Sequence, residues 1–486
     1  MPWSNNTPWR AGAALAAGAL IAGVLGACAA MGPNFHSPAP PSAAGYAMAG
    51  DAVPAQAVLS PQARVAGPWW RGLGSPRLDQ VMTQALADNQ TVAAADAALQ
   101  RAKAQEDSAK GARLPQVDAN AGAQRERINT QAFGIKGFPS PTINLYTVGA
   151  TVSYDLDIFG ARRRRIEEAD ARTRAQGWRA DAAYLTLTGN VALQAVRIAG
   201  LRAQLAAVRA ILADDAASLD IVHRAQAAGG EASSASTVGE AQLAQDRALL
   251  PPIAQQLAQA RHGLALLVGH APAQWSAPDF AFEEFTPPAV IPVELPSALV
   301  RRRPDILAAE ADLHADTAQI GVATAALYPD IRLVAGLTQE ALTPAAIFSF
   351  SSTAYNFGAG LTAPIFHGGS LRADKRAAQA QARASLAQYR QTVLTAFVQV
   401  SDVLSALAED DERLADLTRA ETVASANLAD ARTAYRLGGG AFADVVTAQR
   451  QLNRARLARV DAAGQRLADI VALYAATASD WRAASG

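Results

Sequence analysis

The sequence predicts a mainly helical chain with a small β part: long coiled-coil helices joined to four short amphipathic strands, the whole plan laid out twice. Three observations carry this. Alanine supplies roughly a quarter of the 486 residues, far above ordinary usage and suited to helices that pack closely. Apolar residues recur at sevens along two very long runs, the pattern of supercoiled helices. The chain also matches itself. A shift of 214 lays Leu99, Gln105, Pro115 and Gly122 on Leu313, Gln319, Pro329 and Gly336. A shift of 207 lays Ile158-Phe159, Val238, Ala241-Gln242 and Arg247 on Ile365-Phe366, Val445, Ala448-Gln449 and Arg454.

The organisation read from this is a segment at 1–27, an arm at 28–67, a first repeat at 68–270, a connector at 271–298, a second repeat at 299–477 and a tail at 478–486. Residues 11–31 form an uncharged apolar run behind Arg10, which reads as an export signal rather than as an uncleaved transmembrane anchor. Its end, Leu25-Gly26-Ala27-Cys28, resembles a bacterial lipobox, so Cys28 is expected to become an acylated amino terminus. Ala29 follows instead of aspartate, which in such lipoproteins implies sorting to the outer membrane. Several fatty chains anchor firmly where one alone holds marginally. The arm is rich in Pro, Ala, Ser and Gly and reads as extended chain. The connector carries six prolines and no helical period.

In the first repeat Tyr184, Val191, Ile198, Leu205, Leu212 and Leu219 recur at sevens, and in the second Leu386, Val393, Val400, Leu407 and Leu414 do so. The runs 160–227 and 369–437 would each be about 100 Å long at helical rise. Each ends in glycines, Gly229-Gly230 and Gly438-Gly439-Gly440, followed by a return helix near 232–267 and 442–477. Two helical hairpins result, 160–267 and 369–477.

Strands are expected at about 117–127, 143–158, 330–340 and 353–366, where apolar and small or polar residues alternate. Tyr146, Val148, Val152, Tyr154, Tyr355, Phe357 and Leu361 fall on the apolar face, expected to meet lipid. The two tyrosines of the second strand stand about 26 Å apart, near the height of a membrane barrel's apolar band. A half-buried sheet in a soluble domain alternates in the same way, but the export signal argues for a barrel. Four strands cannot close one, because the smallest barrels need about eight and open edges in lipid leave backbone groups unpaired. Several copies must share it, with the hairpins in the periplasm. Arg162 to Arg165 directly follow the second strand and are expected at the headgroups. Arg301-Arg302-Arg303, followed by Pro304 and Asp305, reads as a helix start rather than an anion site.

Lys and Arg total 43 and Asp and Glu total 43, so no electrostatic footprint for nucleic acid exists in the total. The single cysteine excludes disulfide frameworks and cysteine zinc clusters. The six histidines lack ligand spacing, and no HExxH, Walker loop or GxSxG occurs. The sequence offers no catalytic residue, metal site or cofactor site, and an enzyme is disfavoured.

Further motifs carry a resemblance: Met31-Gly32-Pro33-Asn34-Phe35, Trp69-Trp70 with Leu78 and Ala85-Leu86, and Asp155-Leu156-Asp157-Ile158-Phe159-Gly160. Others are Arg302-Arg303-Pro304-Asp305-Ile306, Ile320-Gly321-Val322-Ala323, Pro364-Ile365-Phe366, and Tyr435-Arg436-Leu437-Gly438 leading to Ala448-Gln449. Through them, from Cys28 to Ala476, the chain resembles the TolC-like outer-membrane factor family, in its NodT-type efflux lipoprotein branch. The resemblance implies a homotrimer with a twelve-stranded barrel continued by a helical tunnel, acting as the exit duct of a tripartite efflux pump. Its partners would be a periplasmic adaptor (membrane fusion protein), a proton-driven inner-membrane efflux pump and outer-membrane lipid. The glycine turns read either as helix caps alone or also as an adaptor-contacting tip, at Gly229, Gly230, Gly438, Gly439, Gly440 and Asp444, since three consecutive glycines exceed what one cap requires. The family often constricts the tip with aspartates or bulky apolar residues near the second turn. Here Gly439 and Gly440 replace larger residues and Thr447 stands where aspartate is common, so Asp444 is the nearest acid to form a charged ring. The rival readings are a duct for protein secretion and a non-conducting coiled-coil lipoprotein.

Overall fold

Where the sequence changes period from seven to two, the backbone changes from helix to strand. The computed structural model describes residues 30–39, 45, 46, 48, 57–59, 68–129, 134, 137, 139–287, 291–293 and 296–477. The expected export segment, Cys28, most of the arm and the tail lie outside the described residues. The principal elements are α1 (Pro76–Asp88), α2 (Gln90–Gly111), β1 (Gln116–Arg127), β2 (Thr142–Leu156), α3 (Ala161–Ala227), α4 (Ser233–Arg247) and α5 (Leu250–Val268). They continue with α6 (Pro304–Ala325), β3 (Asp330–Ala341), β4 (Thr353–Thr362), α7 (Ser370–Arg436) and α8 (Phe442–Thr477).

Three boundaries differ from the sequence expectation, each for a local reason. β2 stops at Leu156 because Asp157 turns to the next helix, its carboxylate accepting the Arg162 and Arg163 N–H groups at 2.9 and 3.0 Å. Those are orphan donors of a first helical turn. β4 stops at Thr362, two residues before Pro364, which has no N–H to give a ladder. The first return helix is two helices, α4 and α5, divided at Ala248 and Leu249. Pro251 and Pro252 follow, and proline is tolerated only in the first turn of a new helix, where its missing N–H costs nothing.

The chain divides into two compact units. One is drawn from Met1–Pro38, Leu99–Gln176 and Ala309–Tyr389 and contains the sheet. Its order is β1-β2-β3-β4, antiparallel throughout. Described arm residues dock in the same unit. The Arg164 guanidinium is nearly buried and donates to the Met31 carbonyl at 3.0 Å, the Gly32 carbonyl at 3.2 Å and Asn34 Oδ1 at 2.8 Å. Glu167 accepts from Arg164 at 2.7 Å and faces His314 Nε2 at 3.0 Å, while Phe35 stacks on the His314 ring at 4.3 Å. Burial alone would raise the Glu167 carboxyl, but the His314 and Arg164 hydrogen bonds more than offset it and hold the group below its ordinary value. Gly32 has φ +90°, and a Cβ there would stand 2.5 Å from Gly321 Cα. Both glycines are needed for the arm to lie against α6.

The other unit is drawn from Ala39–Ala98, Gly177–Ala308 and Arg390–Gly486. Its apolar centre is built on Trp69, fully buried, stacked on Tyr474 at 5.6 Å and donating to Thr188 Oγ1 at 3.4 Å. Leu78 and Ala85 of α1, and Val191, Ile198 and Leu205 of α3, join it. The connector is part of this centre too: Phe280 and Phe285 are buried within it. α1 begins with Ser75, whose Oγ accepts the Leu78 N–H at 3.2 Å, and with Pro76 in the first helical position. Residues 57–59 and 291–293 form a short parallel pair.

Candidate functional site

Two surfaces bear on function, the face of the sheet and the ends of the hairpins. Directly opposed residues in an antiparallel sheet project to the same side. Val152 stands opposite Val117 and Ala335, and Ala335 stands opposite Phe357. Likewise Tyr154 opposes Leu333, Val148 opposes Ala121, Tyr146 opposes Ala123, Leu337 opposes Tyr355 and Ile331 opposes Leu361. The register therefore gathers Tyr146, Val148, Val152, Tyr154, Tyr355, Phe357 and Leu361 on one face across all four strands. Tyr355 and Phe357 are more than 80% exposed. The other face carries Asp118, Asn120, Thr151, Gly149, Gly336, Thr338, Asn356 and Gly358. β1 and β4 each pair on one side only, leaving two free edges in the described chain.

Three of the four arginines at 162–165 correct the sequence expectation of a headgroup contact. Arg162 pairs with Asp155, Arg163 pairs with Asp157 at 3.4 Å, and Arg164 is engaged by Glu167 and the arm. Asp155 also takes Arg332 from β3 at 2.6 Å. These guanidiniums close the polar end of the sheet instead of reaching outward. Arg303 likewise fixes chain, donating to the Ala476 carbonyl at 2.8 Å and pairing with Asp305 at 2.7 Å at the start of α6.

At the hairpin ends, both long helices stop in the same way. Gly229 has φ +75° and Gly438 φ +77°. The Gly230 N–H bonds the Ala225 carbonyl at 2.9 Å and the Gly229 N–H bonds that of Gln226 at 3.0 Å. In the second turn the Gly439 N–H bonds Ala434 at 2.9 Å and the Gly438 N–H bonds Tyr435 at 3.0 Å. Each is a Schellman turn that satisfies the last carbonyls and requires one left-handed residue. Gly439 and Gly440 are not left-handed. Asp444 is exposed in the first turn of α8, where its Oδ2 accepts the Ala441 N–H at 3.1 Å. Its carboxylate suits that helix start. Beneath the turns, Val222, Leu428, Phe442, Val445, Val446 and Leu452 form a separate apolar cluster.

The second long helix leaves apolar surface uncovered. Leu394 and Val398, one turn apart on α7, are more than half exposed. An 18-residue window of this helix is apolar enough by composition to cross a membrane, with 22% of it buried within the chain. Among the described residues no group of three or more His, Cys, Asp or Glu could hold a metal ion.

A chain that combines paired long helices with a small open sheet, apolar on one face, has the make-up of an outer-membrane channel. The family model for outer membrane efflux proteins matches residues 81–270 and 295–479, and the chain belongs to that family. The pyoverdine export outer membrane protein OpmQ of Pseudomonas aeruginosa is 31% identical over 422 residues, covering 85% of this chain and 87% of that one. The probable outer membrane lipoprotein SilC of Salmonella typhimurium is 27% identical over 460 residues, 94% of this chain and 97% of that one. Among solved structures, that of the outer-membrane channel OprN superposes with a TM-score of 0.85 at 28% identity, covering 93% of this chain and all of OprN. The protein is thus an outer-membrane efflux channel of the kind that works with an adaptor and an inner-membrane pump, and not an enzyme.

Proposed function

We propose that the chain is the exit duct of a tripartite efflux pump, passively conducting small molecules from pump and adaptor to the exterior. The observation that supports this most is the sheet: one continuous apolar face, one face of small and polar residues, and two free edges. In lipid those edges must be paired, and pairing β4 of one copy with β1 of the next closes a barrel with its polar side inward. Three copies give twelve strands. The exposed Leu394 and Val398 would then be covered by a neighbouring copy's helices, as the seven-residue period asks.

Acylation at Cys28 and the barrel together hold the protein in the outer membrane. The Arg164 dock fits this reading, since it fixes the chain a few residues beyond that cysteine. The hairpin turns, with Gly229, Gly230, Gly438, Gly439, Gly440 and Asp444, face the adaptor, and splaying of the hairpins opens the lumen. Energy comes from a proton-driven pump, and the choice of cargo resides there.

Single-particle imaging of the mature protein in detergent tests this first. A three-fold hollow particle is expected, while a solid rod or a compact monomer would replace the duct with a structural lipoprotein. Val152→Arg tests the face: at mid-depth in lipid it should cost about 2 to 4 kcal/mol and reduce assembled trimer in membranes. A variant that assembles like the wild type would mean that residue 152 faces the lumen.

A further inference from the structure

Below the hairpin turns lies a buried pair of acids that the channel reading does not use. Asp215 of α3 and Asp246 of α4 are 6% and 8% exposed. Asp246 Oδ2 accepts from Gln242 Nε2 at 2.7 Å and from Asn453 Nδ2 at 3.0 Å. The Asp215 carboxyl lies within hydrogen-bonding reach of Asp246 and of the Asn453 amide, and its Oδ2 still has no hydrogen-bond donor among the described residues. Two ionised carboxylates can only accept, and a buried acceptor without a donor is costly. Asp215 lines a cavity of roughly 10 Å³ with Ser218, Gly239, Gln242, Phe442, Val445, Val446 and Gln449, room for one water at most.

The nearby cations are engaged elsewhere. Arg450 donates to Gln242 Oε1, and Arg432 of α7 donates to Ser218 Oγ at 3.2 Å and Gln449 Oε1 at 2.9 Å. Arg456 pairs with Asp214 at 3.1 Å and Glu421 at 3.5 Å. His223 of α3 and Glu240 of α4 face each other at 3.5 Å on the exposed side. Among the described residues no guanidinium is therefore ion-paired with either acid, and a second negative charge there would be unbalanced.

We propose that Asp215 and Asp246 share one proton, and that this shared proton latches α3 to α4 and α8 beside the hairpin turns, so that the packing of that end responds to pH. The proton supplies the donor that Asp215 Oδ2 lacks, beside an Asp246 carboxyl that already accepts from two amides. Burial, the hydrogen bond to Asp246 and the charges of Asp246 and Asp214 outweigh the Asn453 hydrogen bond and push Asp215 up to about 7. A carboxyl raised in the packed state favours that state most at low pH, and the preference is lost as pH rises through 7. The meaning for adaptor docking rests on the channel reading above. The latch itself does not, since a protein that conducted nothing would still show it.

The test is amide hydrogen exchange of the full-length assembled protein, corrected for the intrinsic effect of pH, over residues 233–247. Between pH 6 and pH 8 the opening equilibrium of this segment should rise about tenfold in the wild type. In Asp215→Asn, whose amide N–H can donate to Asp246 without a charge, it should stay low at both. Equal pH responses in the two proteins would overturn the latch. If the variant fails to assemble, infrared absorption of the wild type decides, where a protonated-carboxyl band at pH 6 that fades by pH 8 is expected. A band unchanged between those values would mean a carboxyl that never gives up its proton, and one absent at pH 6 an ionised, hydrated pair; either would end the proposal.

Discussion

The two hairpins share a plan and differ in their return arms. Both outgoing helices are 67 residues long and both end in the same Schellman turn, yet the first returns as α4 and α5 while the second returns as the single helix α8. The difference lies in two residues. Pro251 and Pro252 have Ala458 and Arg459 at the corresponding places of the second repeat. Helix length is thus set by propensity and period, and continuity by whether each interior residue can donate a backbone hydrogen bond.

Making the second arm like the first is the most damaging change. Ala458→Pro should cost about 3 kcal/mol or more, because it removes a bond inside α8 and clashes one turn back. A denaturation midpoint equal to that of the wild type would show that α8 tolerates the break that α5 begins with. The turns come next. Gly438→Ala and Gly229→Ala should each cost about 1 kcal/mol through the left-handed backbone, with equal losses expected if the two turns are equivalent. Gly440→Ala sharpens this: it has no positive φ, and although a Cβ there would press on Ala434 Cβ at 3.3 Å, it should cost less than either left-handed site. Thermal melts of the three variants side by side would check the order.

A second contrast lies within the buried acids. Asp410 of α7 faces Asp469 of α8, and burial followed by that neighbour pushes it up to about 6, while Arg413 and Arg466 pull it down. Asp215 has no cation beside it, only the Asn453 hydrogen bond to lower it, and reaches about 7. Asp410→Asn should therefore flatten the pH dependence of stability less than Asp215→Asn does, with the packed state favoured at the acidic end in both. Urea midpoints at pH 5 and pH 8 would test it, and a larger effect at Asp410 would reverse the ranking. Smallest of all is Asp444→Asn. Asparagine caps as well as aspartate, so stability should change by less than about 0.5 kcal/mol. Cation selectivity in a planar bilayer should fall if three copies line the entrance with that carboxylate, and an unchanged selectivity would leave Asp444 as a helix start alone.

Much of this was legible in the residues. Val191, Ile198, Leu205, Val393 and Val400, read at sevens, are buried, and the residues read at twos share one face of the sheet. The broken return arm was also legible, in Pro251-Pro252, though period alone passes over it. The arginines at 162–165 were not. Their partners Asp155, Asp157 and Glu167 are close neighbours in sequence, but whether a guanidinium turns to them or to solvent depends on the strand end and on the arm, more than a hundred residues away. The connector gave a similar lesson, since its prolines announce irregular backbone but not that Phe280 and Phe285 fill the core.

The sequence by itself determined the elements, because period, proline and left-handed glycine act over a turn or two of backbone. Tertiary structure decided which charges meet. Asp215 and Asp246 stand together only because α3 and α4 fold back on one another, and Asn453 reaches them from the other repeat. Burial and the nearness of a second carboxylate arise from chain segments far apart, and those two conditions turn an ordinary aspartate into one that holds its proton near neutral pH.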